Sequence, residues 1–309
     1  LSRRMYHHYF GLTELPFTLT PNTSFYCDLE SHRSAFEVLV TALAAGEGFI
    51  KVVGEVGTGK TLLCRKLLNE LPEQFVTAYI PNPYLTPSEM RAHIARELQV
   101  EAPEQQSEQL LTQAIQERLM SIVRDGKTTV VVVDEAQALP SETLEALRLI
   151  SNLETESRKL IHIVLFGQPE LDERLATREH RQLRQRITFS YSLQAMSVDE
   201  LAHYISHRLY VAGYQGQSLF TPRAVQLLHD ASRGIPRLVN VLCHKVLMLC
   251  YGEGAMQVTV KHVQLAVQDT DDVDLPRQVR WLWLGGAAVV VTLALSIAWW
   301  QGWLTEYLL

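Results

Sequence analysis

The sequence predicts an α/β fold with a parallel sheet, followed by a small all-α domain and one C-terminal transmembrane helix. Three observations carry this expectation. Apolar runs alternate with helical patterns from Phe49 to Leu193, the pattern turns purely helical from Ser197, and residues 281–304 hold no Asp, Glu, Lys, Arg or His. Strand–helix alternation favours parallel strands joined by crossover helices. About 20 apolar residues are what a helix needs to cross a hydrocarbon layer.

The elements follow in chain order. Residues 1–30, with MYHHYFGLTELPFTLTPNTSFY, read as an irregular packed segment, and no apolar stretch of a secretory signal follows the opening arginines. Ser31 to Ala45 has helical spacing in Ala35, Val38, Leu39, Ala42 and Leu43, with Ser31 as its N-cap. FIKVVG (49–54) is a strand ending in glycine, and a helix runs from about Gly59 to Leu71. Phe75–Ile80 is the second strand. Thr86 opens a helix to about Leu98, EAPEQQSEQ (101–109) reads as a surface turn, and a helix covers about Leu110 to Val123. In TTVVVVDEAQAL (128–139) four consecutive valines mark a strand buried on both faces. Helices near 141–153 and 169–178 flank strand LIHIVLF (160–166), and ITFSYSL (187–193) is the last strand. These elements make one α/β domain, 31–195.

Helices at 197–212, 221–232, 235–251 and 259–268 make the second domain, 196–268. DTDDVDLPRQVR (269–280) reads as a linker to the expected span at 281–304, with 305–309 as a short tail on the far side. Trp281 and Trp283 at one end, and Trp299, Trp300 and Trp303 at the other, suit the two membrane interfaces. Arg277 and Arg280 precede the span and Glu306 follows it, which places the N-terminal body in the cytoplasm.

Composition narrows the function classes. Charged residues at 20% and hydrophobic ones at 47% are those of a chain with a core. A net charge of −6 argues against constitutive binding to nucleic acid, so no nucleic-acid partner is expected. Cys27, Cys64, Cys243 and Cys250 form no C-x-x-C pair and have no zinc-finger spacing, and read as reduced structural thiols.

The chemistry sits in two motifs. GEVGTGKT (54–61) fits the phosphate-binding pattern G-x-x-x-x-G-K-[ST] between a strand and a helix. Gly54, Glu55, Val56, Gly57, Thr58, Gly59, Lys60, Thr61 and Leu62 are the expected nucleotide-binding residues. Glycines let successive amides curl around phosphate oxygens, Lys60 adds charge toward the β- and γ-phosphates, and Thr61 offers a hydroxyl to Mg2+. VVVVDEAQ (130–137) supplies the partner motif: Asp134 at the strand end for the metal, and Glu135 as general base for the attacking water. The Asp-Glu pair favours ATP hydrolysis, with Mg2+, over a GTPase switch.

This order of elements resembles that of AAA+ P-loop NTPases, and the resemblance implies three further positions. Gln168, after LIHIVLF, takes the sensor-1 place between the two motifs. In LRQRI (183–187), Arg186 or Arg184 is the candidate arginine finger toward a neighbouring subunit, with Arg186 preferred. Arg237 in GIPR (234–237) opens a lid helix as sensor 2; a cation at a helix N-terminus is slightly disfavoured and suits an anionic partner.

Together FGL-x(3)-PF-x-LTPNT-x-FY, H-x(2)-A at His32–Ala35, GEVGTGKT-x(2)-CR, DEAQ, FGQPEL, LRQRI and GIPR resemble the ExeA/GspA family of general secretion ATPases, from residue 5 to about 270. The resemblance implies a bacterial inner-membrane ATPase, acting as a homo-oligomer (ring or dimer), that serves type IV pilus or type II secretion components. Proteins of that family carry a peptidoglycan-binding domain after the span, whereas only a short tail follows here, so wall binding is not carried over. Phe25, Tyr26 and His32 stand either near the adenine or in a plain core. Two other readings remain: a DNA-handling ATPase of the transposition-helper type, which shares the core and a DEAQ-like box, and a slow nucleotide-controlled membrane scaffold.

Overall fold

The computed structural model describes residues 5–19, 23–81, 83–100, 108–154, 159–271 and 273. Helix α1 (Met5–Tyr9) precedes α2 (Glu30–Ala44), and the sheet opens with β1 (Phe49–Val53). Then come α3 (Lys60–Glu70), β2 (Phe75–Ile80), α4 (Pro87–Glu97), α5 (Glu108–Arg124) and β3 (Thr128–Val133). They are followed by α6 (Ser141–Ile150), β4 (Ile161–Gly167), α7 (Glu170–Leu175), α8 (Arg181–Arg186) and β5 (Ile187–Ser192). Four helices close the described chain: α9 (Val198–Val211), α10 (Pro222–Ser232), α11 (Pro236–Glu253) and α12 (Val260–Gln268).

The five strands pair in the order β2-β3-β4-β1-β5, every pair parallel. The valine run explains the centre of the sheet. Val131 and Val133 point to one face, against Ile94, Leu119 and Leu147, while Val130 and Val132 point to the other, against Leu39, Leu63 and Leu67. A period of two with both faces covered makes an uninterrupted apolar strand. β5 lies at the edge and leaves Phe189 exposed.

Local signals set several helix starts. Thr86 accepts from Glu89 N–H while the Glu89 carboxylate accepts from Thr86 N–H, and Ser197 and Glu200 repeat that reciprocal box at α9. α9 to α12 close around their apolar stripes, with Ile205, Leu228, Leu242, Val246 and Val263 buried together. Cys243 and Cys250 are buried in that core as free thiols.

Four expectations need correction. Ser31 does not cap α2: the helix starts at Glu30 after Leu29, and the Ser31 hydroxyl instead accepts from Gln194 N–H at 2.9 Å. The described residues between 5 and 30 are less irregular than expected. α1 and a 3-10 turn at Thr23–Phe25 form because Tyr6, Phe10, Phe17 and Phe25 enter the core of α9–α12, fixing the backbone around them. The helix expected near 169–178 is the shorter α7, ending at Leu175, and α6 ends at Ile150 rather than 153, while α8 is the further helix expected to end at LRQRI.

The expected span at 281–304, linker residues 274–280, the tail 305–309 and most of the turn at 101–109 lie outside the described residues. Among the described residues, no helix is long and apolar enough to cross a membrane.

Candidate nucleotide site

The ends of β1, β3 and β4 meet at the C-terminal edge of the sheet, where parallel α/β sheets place their ligands. The loop from Gly54 to Gly59 leaves β1 and enters α3, so Lys60 is the first helical residue. Two glycines are required by geometry. Gly57 has φ +85°, and a Cβ there would lie 2.4 Å from Arg237 Cβ; Gly59 has φ +96°, and its Cβ would lie 2.7 Å from His32 Nε2. Both values are left-handed backbone that side chains rarely adopt.

Hydrogen bonds hold the loop in shape. Thr58 Oγ1 donates to Glu55 O at 2.8 Å, and His32 Nε2 donates to Thr58 O at 2.9 Å. That bond makes Nε2 the protonated nitrogen and leaves the buried Nδ1 without a partner among the described residues. Burial pushes the imidazole below the usual histidine range, so it is held neutral. Lys60 is 5% exposed, and its Nζ donates to Gly54 O at 2.7 Å and Glu55 O at 2.9 Å. Burial lowers its proton affinity, and Glu135 and Asp134 oppose that shift.

Asp134, 4% exposed, directly follows β3 and accepts from the Thr61 hydroxyl and from Glu135 N–H, the latter at 2.9 Å. Desolvation nevertheless raises its pKa above the ordinary carboxylate range. Glu135 is left-handed at φ 53°, ψ 38°, a conformation costing a non-glycine residue about 1–2 kcal/mol. Such strain persists where surrounding contacts impose it. Here Gln137 Nε2 and Gln168 Nε2 both donate to Glu135 Oε2, at 2.6 and 3.0 Å. Gln168 follows β4, the strand between β1 and β3, and so stands between the two motifs.

Of these residues Gly57, Thr58, Gly59, Lys60, Thr61, Glu135 and Gln168 line one cavity of about 410 Å³, a size suited to a nucleotide-sized ligand. Gly57 to Leu62, Glu135 and Gln168 form its polar floor, and exposed Arg237, in the first turn of α11, borders it. Arg237 N–H donates to Gly57 O at 3.2 Å, which ties that helix to the loop. Phe25, Tyr26 and His32 reach the cavity wall, with Phe25 and His32 also buried, so lining and core roles coincide.

The sequence reading missed Tyr204, Arg208 and Asn240, which also line the cavity. Arg208 is only 7% exposed; its Nε donates to Pro16 O at 2.5 Å, its Nη1 to Tyr204 Oη at 2.9 Å, and Tyr204 donates on to Asn240 Oδ1 at 3.0 Å. Its guanidinium lies 4.8 Å from the Phe25 ring centre. A charged residue at a core position of an otherwise apolar helical stripe is the one signal that could have drawn attention to it.

Arg186 lies elsewhere. It directly precedes Ile187, which pairs with Phe49 at the start of β1, whereas the phosphate loop follows the other end of that strand. Arg184 and Arg186 are both exposed, and Arg186 Nη1 donates to Ser151 Oγ at 3.1 Å. Neither joins its own chain's site.

The donor set fits a magnesium-bound nucleoside triphosphate. The positions of Gly57 and Gly59 have no space for a side chain, a buried ammonium faces two carboxylates, and a hydroxyl–carboxylate pair at Thr61 and Asp134 offers hard oxygen ligands. Helix geometry also leaves the first-turn amides of α3 without intrahelical acceptors.

Residues 44–175 match the family model described as "AAA domain". Over 301 residues, 97% of its length, the chain is 40% identical to the general secretion pathway protein A of Aeromonas hydrophila. It covers 54% of that protein, so it spans about half the length of this curated relative. Among solved structures, Cdc6p from Pyrobaculum aerophilum has a TM-score of 0.60 at 15% identity, over 81% of this chain and 71% of that one. Drosophila ORC bound to DNA has 0.59 at 20% identity, over 86% of this chain and 65% of that one. Those likenesses are of fold alone. Residues 44–175 thus carry an AAA-type P-loop α/β fold on a parallel sheet, in a chain similar over nearly its whole length to a general secretion pathway protein A.

Proposed function

We propose that this chain is an ATPase that hydrolyses ATP to ADP and phosphate and uses the energy to assemble or remodel a secretion or pilus machine at the bacterial inner membrane. The observation that carries the reading is the convergence of Lys60, Thr61, Glu135 and Gln168 on one cavity at one sheet edge, with Asp134 hydrogen-bonded to Thr61. In this reading the loop 54–61 and the first turn of α3 hold the phosphates, and Lys60 leaves its carbonyl partners for a phosphate oxygen. Thr61 and Asp134 would hold Mg2+, which when bound neutralises charge on the phosphates. Glu135 takes a proton from the attacking water, while Gln168 and Arg237 sense the terminal phosphate.

Arg186 acts in a second copy. Its exposure and its place at the far end of β5 from the chain's own loop suit a residue given to a neighbour's site, in a ring or dimer. The helices from 196 to 268 act as a lid, whose first link to the nucleotide is the Arg237–Gly57 contact. Residues 281–304 anchor the chain as a single span, with the ATPase in the cytoplasm. The similarity to general secretion pathway protein A supports a type II secretion role. The finer form of the same reading is service to a type IV pilus of the MSHA kind, as by the MSHA pilus biogenesis protein MshM.

The test is a Glu135→Gln variant of the full chain. ATP turnover should fall by about two orders of magnitude or more, the contribution of a positioned base, with ATP still bound. Purified from membranes with ATP, the same variant should retain inner-membrane secretion or pilus components. Wild-type turnover in that variant would remove the hydrolytic assignment.

A further inference from the structure

Gln137 lies two residues past the acidic pair's second member, and both ends of its side chain are in use. Its Nε2 donates to Glu135 Oε2 at 2.6 Å, and its Oε1 accepts from the main-chain N–H of Gln168 at 3.0 Å. Its own carbonyl accepts from Arg174 Nη1. Gln137 therefore links the end of β3, the end of β4 and α7. The 3-10 turn at Ala136–Ala138 is what brings it back toward Glu135. Its seat is close-fitting: a Cβ at Gly167 would lie 3.4 Å from Gln137 Oε1 and 2.7 Å from Leu171 Cδ2.

Gln168 Nε2 donates to the same carboxylate oxygen at 3.0 Å. Two amides thus share Oε2, and no donor to Glu135 Oε1 is found among the described residues. The two amides differ in freedom. Among the described residues no partner is found for the Gln168 side-chain oxygen, and Gln168 faces the cavity, so its amide is free to turn from Glu135 toward a phosphate oxygen. The amide of Gln137 has no such exchange open to it, because its other end and its backbone are both bonded.

We propose that Gln137 is the positioning residue for Glu135: it holds the carboxylate by Oε2, with Oε1 free for water, while Gln168 changes partner. It also makes the base and the Gln168 backbone move as one unit. This rests on the reading of Glu135 as the base. Gln137 touches neither phosphate nor water in this role, so its loss should act on the chemical step and spare binding.

Two variants of the full chain separate its two arms. Gln137→Leu removes both, whereas Gln137→Glu keeps an acceptor for Gln168 N–H and loses the donor to Glu135. Steady-state ATPase assays should show kcat down about 10- to 100-fold in both, the usual effect of a base misplaced by an ångström, with KM and ATP affinity within about twofold of wild type. A merely structural residue would be rescued by Gln137→Glu. Wild-type kcat in that variant, or a raised KM at unchanged kcat, overturns the proposal. Glu135→Gln is run alongside. If it is inactive while both Gln137 variants are fully active, only this inference falls; if it is fully active, the base reading falls and takes the inference with it.

Discussion

Replacing Gly57 with alanine should separate the phosphate loop from the helix that borders it. At φ +85° an alanine pays a left-handed backbone cost of about 1–2 kcal/mol. The new methyl would also lie 2.4 Å from Arg237 Cβ and 3.3 Å from Ile235 Cγ2, where ordinary contact begins at 3.4 Å. The first turn of α11 must retreat by about 1 Å, an overpacking cost of about 1–3 kcal/mol, and the Arg237 N–H to Gly57 O bond is lost. The nucleotide-free protein escapes the clash by letting α11 withdraw, and ATP must then restore the closed junction. The backbone cost is present with or without ATP, so the overpacking cost alone opposes closure, and affinity should fall about 5- to 140-fold, at 1.4 kcal/mol per tenfold. A fluorescent-ATP titration reads this directly. Gly46→Ala is the control, with the same left-handed backbone at φ +81° and nothing within 4 Å of its Cβ. It should lower the unfolding temperature slightly and leave affinity unchanged. Wild-type affinity in Gly57→Ala, or an equal loss in Gly46→Ala, would refute the argument that this junction is coupled to binding.

Asp134→Asn should raise the unfolding temperature of the nucleotide-free protein by a few degrees at pH 7. A carboxylate with a raised folded pKa contributes stability below its unfolded value and loses it as pH rises, so the gain should shrink by pH 4 in differential scanning. The same variant should gain nothing from Mg2+-ATP. His32 is held neutral by burial, so its contribution is present above about 6.5, the unfolded histidine value, and lost as pH falls toward its lowered folded pKa. His32→Gln, which keeps a donor for Thr58 O, should flatten the drop in unfolding temperature between pH 7 and 5. Arg186→Ala should cut turnover at least about tenfold with ATP affinity unchanged, and mixing it with Glu135→Gln should recover part of the activity through hybrid sites. No recovery on mixing, with each variant oligomeric, would remove the trans assignment.

What the sequence made legible was local. The four valines of β3 announce a strand with both faces covered, and they divide between the two sheet cores as period two requires. The loop 54–61 is legible because its glycines answer to backbone geometry within eight residues, and Thr86 caps α4 through a partner three residues on. What was not legible depended on distant partners. Ser31 loses its expected capping role to an amide 163 positions away. Tyr204 and Arg208 stand at the cavity beside Phe25, which with Tyr6, Phe10 and Phe17 packs into the helical core, a contact no periodicity encodes. Gln137 stood in the DEAQ box in plain view, yet its bonds to Glu135 and Gln168 depend on a 3-10 turn and on β4 lying beside β3.

The central claim is that the loop from Gly54 to Thr61 grips the phosphates of Mg2+-ATP, with Lys60 as its one buried cation. Isothermal titration of Mg2+-ATP into the purified chain, wild type beside Lys60→Ala, tests it most directly. Saturable binding by the wild type and a loss of at least about tenfold in the variant, the least that one charge-assisted bond of about 1.5–3 kcal/mol implies, is the expected result. A wild-type chain that takes up no ATP, or a Lys60→Ala chain that binds it equally well, would contradict the account.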